Sequence, residues 1–418
     1  MATDPRASPA LPRATGARRS NDASWGSQRP PRRLLTGLIL ARTIPRRLEK
    51  LYRKTDEREV DLDRRSLVIF SDHHKGRRDP ADDFWICERA YNAALGYYLE
   101  RGHELFVLGD AEELWENDPE PVLEKYRTTL ELEAEFHAHG RYTRFFGNHD
   151  LEWRRPDHVA KWLQPLFDDV ARGLVPPAEP RPLEVLEAAK LVLKRGGRKK
   201  GLLFLFHGHQ GTPLSDYLAW ASEPLVRHGW RRIQRRRGLP STSPARNYNL
   251  REEHERAAAE WAKRPRPPRE EFQPIAIAGH THRPVFADRT QEQPSDDQIK
   301  AKDNELREAR LAHQSTDVLR ARLEYLKASV AYYEDPEPVV PPAYFNTGCC
   351  SFGDGDVTGI EITAEEIKLV RWTKEGQCVA DSRRRPLSEV LSEVGQSRSP
   401  ARAGRLSRWR AALRRLLS

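Results

Sequence analysis

At 418 residues the chain can bury a full core arranged in one to three domains, and its net charge of +9 at first suggests a binder of polyanions. The charge is unevenly spread: residues 1–54 carry about +10 and residues 383–418 about +8, leaving the middle near −9. Basicity therefore belongs to the two ends, and attraction to nucleic acid would have to come from tails or a local patch.

The N-terminus is rich in Pro, Ser, Ala and Arg, which predicts disorder over 1–33 and a basic, largely disordered extension over 1–60. Asp4, Asp22 and six prolines before residue 50 argue against a mitochondrial presequence, and no signal-peptide hydrophobic region is present. Residues 34–54 form a short apolar cluster flanked by bases. It could lie at an interface, with Pro45 interrupting any continuous helix. No apolar run approaches the roughly 18 residues a membrane-spanning helix needs. The four cysteines (Cys87, Cys349, Cys350, Cys378) show no CxxC spacing, which reads as reduced thiols in a cytoplasmic protein.

The ordered body is expected over 64–375. Its first strand is SLVIF (66–70), followed by a helix over 82–101, the strand HELFVL (103–108), a helix over 120–139 and the strand RYTRFF (141–146). Next, EVLEAAKLVLKR and GLLFLF flank Gly196-Gly197 as a hairpin. PIAIAG (274–279), PVFAD (284–288) and AYFNTG (343–348) read as further strands, and VTGIEI with EIKLVRW as a second hairpin. This alternation, with more strands than one open sheet needs, predicts an α/β fold of two stacked mixed sheets flanked by helices. Two stretches, about 210–273 with the basic run RRIQRRR (231–237) and the charged 290–340, read as insertions on the rim. Residues 376–418 form an Arg-rich tail, in which Leu406, Trp409, Leu413 and Leu416 share one face of an amphipathic helix. That face could dock on an anionic membrane, giving a cytoplasmic protein that can sit peripherally at the inner membrane face, or it could pack on protein.

Polar motifs follow the strands within a residue or two. They are Asp72-His73-His74, Gly109-Asp110, Gly147-Asn148-His149-Asp150, His207-Gly208-His209 and Gly279-His280-Thr281-His282. The carboxyl edge of a sheet is where such side chains converge. Carboxylates, an amide and imidazoles together make a mixed N/O donor set, suited to two divalent transition-metal ions, Mn foremost and Fe, Zn or Ni as alternatives. A pair of cations about 3.5–4 Å apart neutralises phosphoryl oxygens and makes a bound water nucleophilic near neutral pH. A carboxylate must bridge so short a spacing, and Asp110, directly after its strand, is the natural bridge.

In order and spacing these motifs resemble the calcineurin-like metallophosphoesterases, whose pattern is DxH, GDxx(D/E), GNH(D/E), a lone His and GHxH. The match is Asp72-x-His74, Gly109-Asp110-x-x-Glu113, Gly147-Asn148-His149-Asp150, His207 and Gly279-His280-x-His282, spanning roughly 65–375. The resemblance implies that Asp72, His74 and His282 bind the first metal, that Asp110 bridges, and that Asn148, His207 and His280 complete the second. It also implies that His149 serves the leaving group as general acid or charge stabiliser, with Asp150 orienting it. His73 is not expected to be a ligand, and His207 is preferred to His209. Glu113 either caps a turn or touches metal, and Asn346 is expected to make a turn. Within the family, GHTHRP (279–284), Glu113 and Trp115 resemble the group containing UDP-2,3-diacylglucosamine pyrophosphatase, although those enzymes carry Arg where this chain has His149. The expected substrate is a phosphorylated small molecule or lipid-linked phosphate. Nucleic acid is less favoured because the body is acidic, and an inert scaffold is disfavoured because no ligand is missing.

Overall fold

Apolar runs of four or five residues become strands, as their β-branched and aromatic content requires. The computed structural model describes residues 32–79, 82–115, 117–174, 176–211, 248–267, 270–286, 289–290, 303–308, 311, 343–379 and 383–396. The chain opens with helix α1 (Arg32–Lys54) and strand β1 (Glu57–Asp61). Then come β2 (Leu67–Phe70), α2 (Glu88–Glu100), β3 (Glu104–Val107), α3 (Pro119–Lys125), α4 (Arg127–Ala138) and β4 (Tyr142–Phe145). Helices α5 (Pro156–Trp162) and α6 (Gln164–Gly173) lead to β5 (Val185–Leu186), β6 (Ala188–Arg195) and β7 (Arg198–Phe206). The second half carries α7 (Tyr248–Ala262), β8 (Pro274–Ala278), β9 (Pro284–Phe286), β10 (Arg289–Thr290), β11 (Tyr344–Thr347), β12 (Val357–Ile362) and β13 (Glu366–Trp372). Short strands β14 (Cys378–Val379) and β15 (Arg384–Pro386) precede α8 (Leu387–Gln396).

Among the described residues the strands form two mixed sheets flanked by helices, in the orders β1-β6-β7-β8-β11-β9-β10 and β14-β13-β12-β2-β3-β4-β5, with β15 beside β13. In the second sheet β2, β3, β4 and β5 run parallel, and β12 closes antiparallel on β2. In the first, β7, β8 and β11 run parallel while β6 and β7 make the expected hairpin. Alternation along β2 and β3 explains the layering. Leu67, Ile69 and Phe106 share a core with Leu203, Leu205, Ile275 and Ile277 of the other sheet, whereas Val68, Phe70, Leu105 and Val107 pack under α2 and α4. No helix of the described residues is long and apolar enough to cross a membrane.

Three expectations are corrected. The extension over 1–60 is ordered from residue 32, because α1 runs unbroken through Pro45 and β1 pairs in parallel with β6. Pro within a helix costs about 3 kcal/mol, but Leu40, Ile44, Leu48 and Leu51, spaced four, four and three residues apart, are all buried. At roughly 1.5–3 kcal/mol each, they outweigh it. The region 210–273 is not wholly a rim insertion, since α7 buries Ala257, Ala258, Trp261 and Ala262 in the main core. Trp261 Nε1 and Arg266 Nη1 donate to Glu49 on α1 at 3.1 and 2.7 Å, tying the two helices together. The tail from 376 begins inside the fold, with Leu387, Val390 and Val394 of α8 buried. The run 231–237, most of 290–340 and the amphipathic face at 405–417 lie outside the described residues.

Candidate metal centre

The parallel strands β2, β3 and β4 of one sheet and β7 and β8 of the other end beside each other, so five strand ends feed one place. Backbone bonds zip the loops beyond them: Asp72 N–H donates to Gly109 O, His74 N–H to Asp110 O and Lys75 N–H to Ala111 O, at 2.9–3.1 Å. Gly279 N–H donates to His207 O at 2.8 Å, and His280 N–H donates to the Asp72 carboxylate. Of the six non-glycine residues with left-handed backbone among the described residues, five are Asp72, His74, Asp110, His280 and His282. Such conformations cost of order 1–3 kcal/mol each and persist only where the surroundings impose them. Glycine is obligatory beside them, since a Cβ at Gly147 would overlap the Asp110 carboxylate and one at Gly279 would overlap Ser71 and Asp72.

The expected ligands converge. Donor atoms of Asp72, His74 and His282, of His74, Asp110 and His149, and of Asp110, His207 and His280 form three groups, each with its atoms within 4.8 Å of one another. His74 Nε2 lies 3.0 Å from His282 Nε2, which is 3.3 Å from Asp72 Oδ1. Asp110 Oδ2 lies 3.8 Å from His74 Nε2 and 3.1 Å from His207 Nε2, so one carboxylate oxygen faces both groups. Asn148 Oδ1 stands 3.3 Å from His207 Nε2.

Tautomers test whether cations fit. His207 Nδ1 donates to the Leu108 carbonyl at 2.8 Å, and His74 Nδ1 donates to Glu113 at 3.2 Å. In the neutral imidazoles each Nε2 therefore carries its lone pair toward carboxylate, amide or imidazole acceptors. Without a cation the conflict is relieved by a proton: burial opposes the charge, but Asp110 and Glu113 raise His74, and Asp110 raises His207, each to about 9. Asp110 is held well below the ordinary carboxylate range, burial notwithstanding, by His207 and His149. His280 Nε2 is buried without a hydrogen-bond partner. Protons on a set of convergent donors are what a divalent ion displaces, so these buried clusters can bind metal.

His149 is fixed on three sides. Its Nδ1 meets Glu113 Oε2 at 2.6 Å, its ring stacks on Trp115 with centroids 4.0 Å apart, and the His74 ring stands nearly perpendicular to it with centroids 4.6 Å apart. Glu113 thus serves two histidines at once, and they hold its carboxyl down to about 2 against the effect of burial. Asp150 does not orient His149. Its carboxylate accepts from the N–H groups of Gly147, Asp110 and Ala111 and so shapes the two loops, while burial and the Asp110 charge raise its pKa to about 6.

Neither His73 nor His209 belongs to the three clusters. His73 points into the core against Tyr91 and Phe84, and burial drives its pKa well down. His209 stands behind His207, its ring centroid 5.4 Å away. Asn346 makes a turn, donating to Gly279 O and accepting from Gly348 N–H. Sequence reasoning missed the layer beneath the site, where Lys75, Glu112, Glu133 and Arg144 are fully buried as a neutral set of four charges. Lys75 Nζ reaches Glu133 at 2.7 Å and Arg144 pairs with Glu112, to which Trp153 Nε1 also donates at 2.8 Å. The only sequence signal was the placement of Lys75 and Glu112 two residues or fewer after motif positions.

No family model matches the chain, and no curated protein matches it significantly. Among solved structures, a conserved uncharacterised protein of Streptococcus pneumoniae TIGR4, described as a predicted phosphoesterase, aligns at 11% identity. The alignment covers 77% of this chain and 95% of that one, with a TM-score of 0.24.

Proposed function

We propose that the chain is a dinuclear metal-dependent phosphoesterase hydrolysing a phosphate ester or phosphoanhydride. The observation that carries this reading is the Asp110 carboxylate shared by two histidine groups, with the His149–Glu113 pair beside them. In this reading Asp72, His74 and His282 hold one divalent ion, Asn148, His207 and His280 hold the other, and Asp110 spans both. Manganese is the first choice, with iron, zinc or nickel alternatives for an N/O set. Bound there, the pair would activate water near neutral pH and neutralise charge on the phosphoryl group.

The chain's own residues do the rest. With Nδ1 engaged by Glu113, His149 presents Nε2 to the departing oxygen as proton donor. Trp115 and Glu113 hold that ring, so little ordering is left for the moment of reaction. For substrate we favour a nucleotide-sugar or lipid-linked phosphate, from the likeness of GHTHRP (279–284), Glu113 and Trp115 to the UDP-2,3-diacylglucosamine pyrophosphatase group. The C-terminal face at 405–417 would then bring the enzyme to an anionic cytoplasmic membrane surface. Turnover of p-nitrophenyl phosphate, bis-p-nitrophenyl phosphate, UDP-sugars and single-stranded DNA with added Mn2+ tests the reading. Hydrolysis abolished by Asp110→Asn supports it, whereas a wild-type protein that binds no transition metal and turns over none of these would refute it.

A further inference from the structure

We propose that Glu255, on α7, is the positioning residue for the loop bearing His280 and His282, which makes this helix a working wall of the metal centre. The inference rests on the metal-centre reading and adds to it a residue that lies in none of the five strand-end motifs.

Glu255 is buried, and its carboxylate faces the loop rather than solvent. Oε1 accepts from Thr281 Oγ1 at 2.8 Å and from Arg283 Nε at 3.3 Å, and Oε2 pairs with Arg283 Nη2. Thr281 separates the two histidines and Arg283 follows the second, so the carboxylate grips the loop on both sides of His282. That grip matters because His280 and His282 have φ of 70° and 57°, a left-handed backbone that L-residues do not hold unaided. The restraint from the other side, His280 N–H to Asp72, depends on a carboxylate that the cation also claims. Glu255 is a restraint from outside the ligand set. The preceding residue adds a packing contact, His254 lying edge-on to His280 with centroids 5.2 Å apart.

The helix is braced at its far end, where Trp261 and the following Arg266 donate to Glu49 of α1. This supplies the control, because weakening that end disturbs the seating of α7 without touching the loop. Arrangements that orient ligands typically change metal affinity 10–100-fold when lost.

The test is calorimetric titration of the metal-stripped full chain with Mn2+ alone, alongside thermal unfolding of the metal-free proteins. Glu255→Gln is expected to weaken Mn2+ binding at least about tenfold, and Glu49→Gln to leave it within about twofold of wild type. Should Glu255→Gln fail to fold, Thr281→Val, which removes one bond and strands no charge, is expected to weaken binding several-fold at near-normal melting temperature. Wild-type affinity in the variants contacting the loop would overturn the inference. Equal losses in Glu49→Gln and Glu255→Gln would overturn it too, by reducing Glu255 to a packing role. A wild-type chain that binds no Mn2+ would remove the centre itself and the inference with it, an outcome distinct from both.

Discussion

Glu113→Gln separates holding His149 from merely filling space. The carboxylate accepts from His149 at 2.6 Å and His74 at 3.2 Å through the same oxygen. Glutamine keeps the shape and one acceptor but loses the charge, so each charge-assisted bond falls back toward an ordinary one. Hydrogen bonds to charged groups contribute about 1.5–3 kcal/mol and neutral ones about 0.5–1.5, a loss of about 1–1.5 kcal/mol at each histidine. At His149 that is about a 5–13-fold fall in kcat, rising toward 10²-fold if the amide flips and turns a donor on the ring. The assay compares a p-nitrophenyl ester, whose good leaving group needs little protonation, with an alkyl ester of the same phosphate, under saturating Mn2+ to offset the loss at His74. The alkyl ester should lose most of its rate and the p-nitrophenyl ester little. Equal losses on both, or wild-type rates on the alkyl ester, would refute the assignment of His149 as proton donor positioned by Glu113.

Other consequences follow from the same geometry. Gly147→Ala should lower bound metal per chain, measured by elemental analysis, because its Cβ overlaps the Asp110 carboxylate; full occupancy would show that the loop yields. His74 and His207 hold protons up to about pH 9 in the metal-free chain, so Mn2+ affinity should tighten as pH rises from 6 to 9 and level off above. Because these two pKa values are raised on folding, their contribution to metal-free stability is complete below about pH 6.5 and fades as pH climbs through about 9. Leu48→Ala in α1 should cost about 2–5 kcal/mol in chemical unfolding, where a disordered extension would lose nothing. Arg144→Met should cost about 3–5 kcal/mol, since it leaves Glu112 and Glu133 with Lys75 as their one cation.

What the sequence determined by itself was the part written in short-range terms. Strands of four or five residues announce themselves by apolar runs, and Asp72, His74, Asp110, Asn148, His207, His280 and His282 stand within a few residues of strand ends. Once those strands pair in parallel, these side chains have one edge to meet at. Tertiary structure decided what depends on contacts far apart in the chain. Pro45 read locally as a helix break, yet α1 continues because Leu40, Ile44, Leu48 and Leu51 find a sheet and α7 to bury against. Asp150, next to His149 in sequence, turned instead to three backbone N–H groups, and Glu113, thirty-six residues earlier, took the imidazole. Glu133 and Arg144 gave no sign of burial, since a buried charge reveals itself only with its partner in place. Local pattern specifies a strand and its terminus, whereas the direction a side chain takes is settled by which distant group offsets its desolvation.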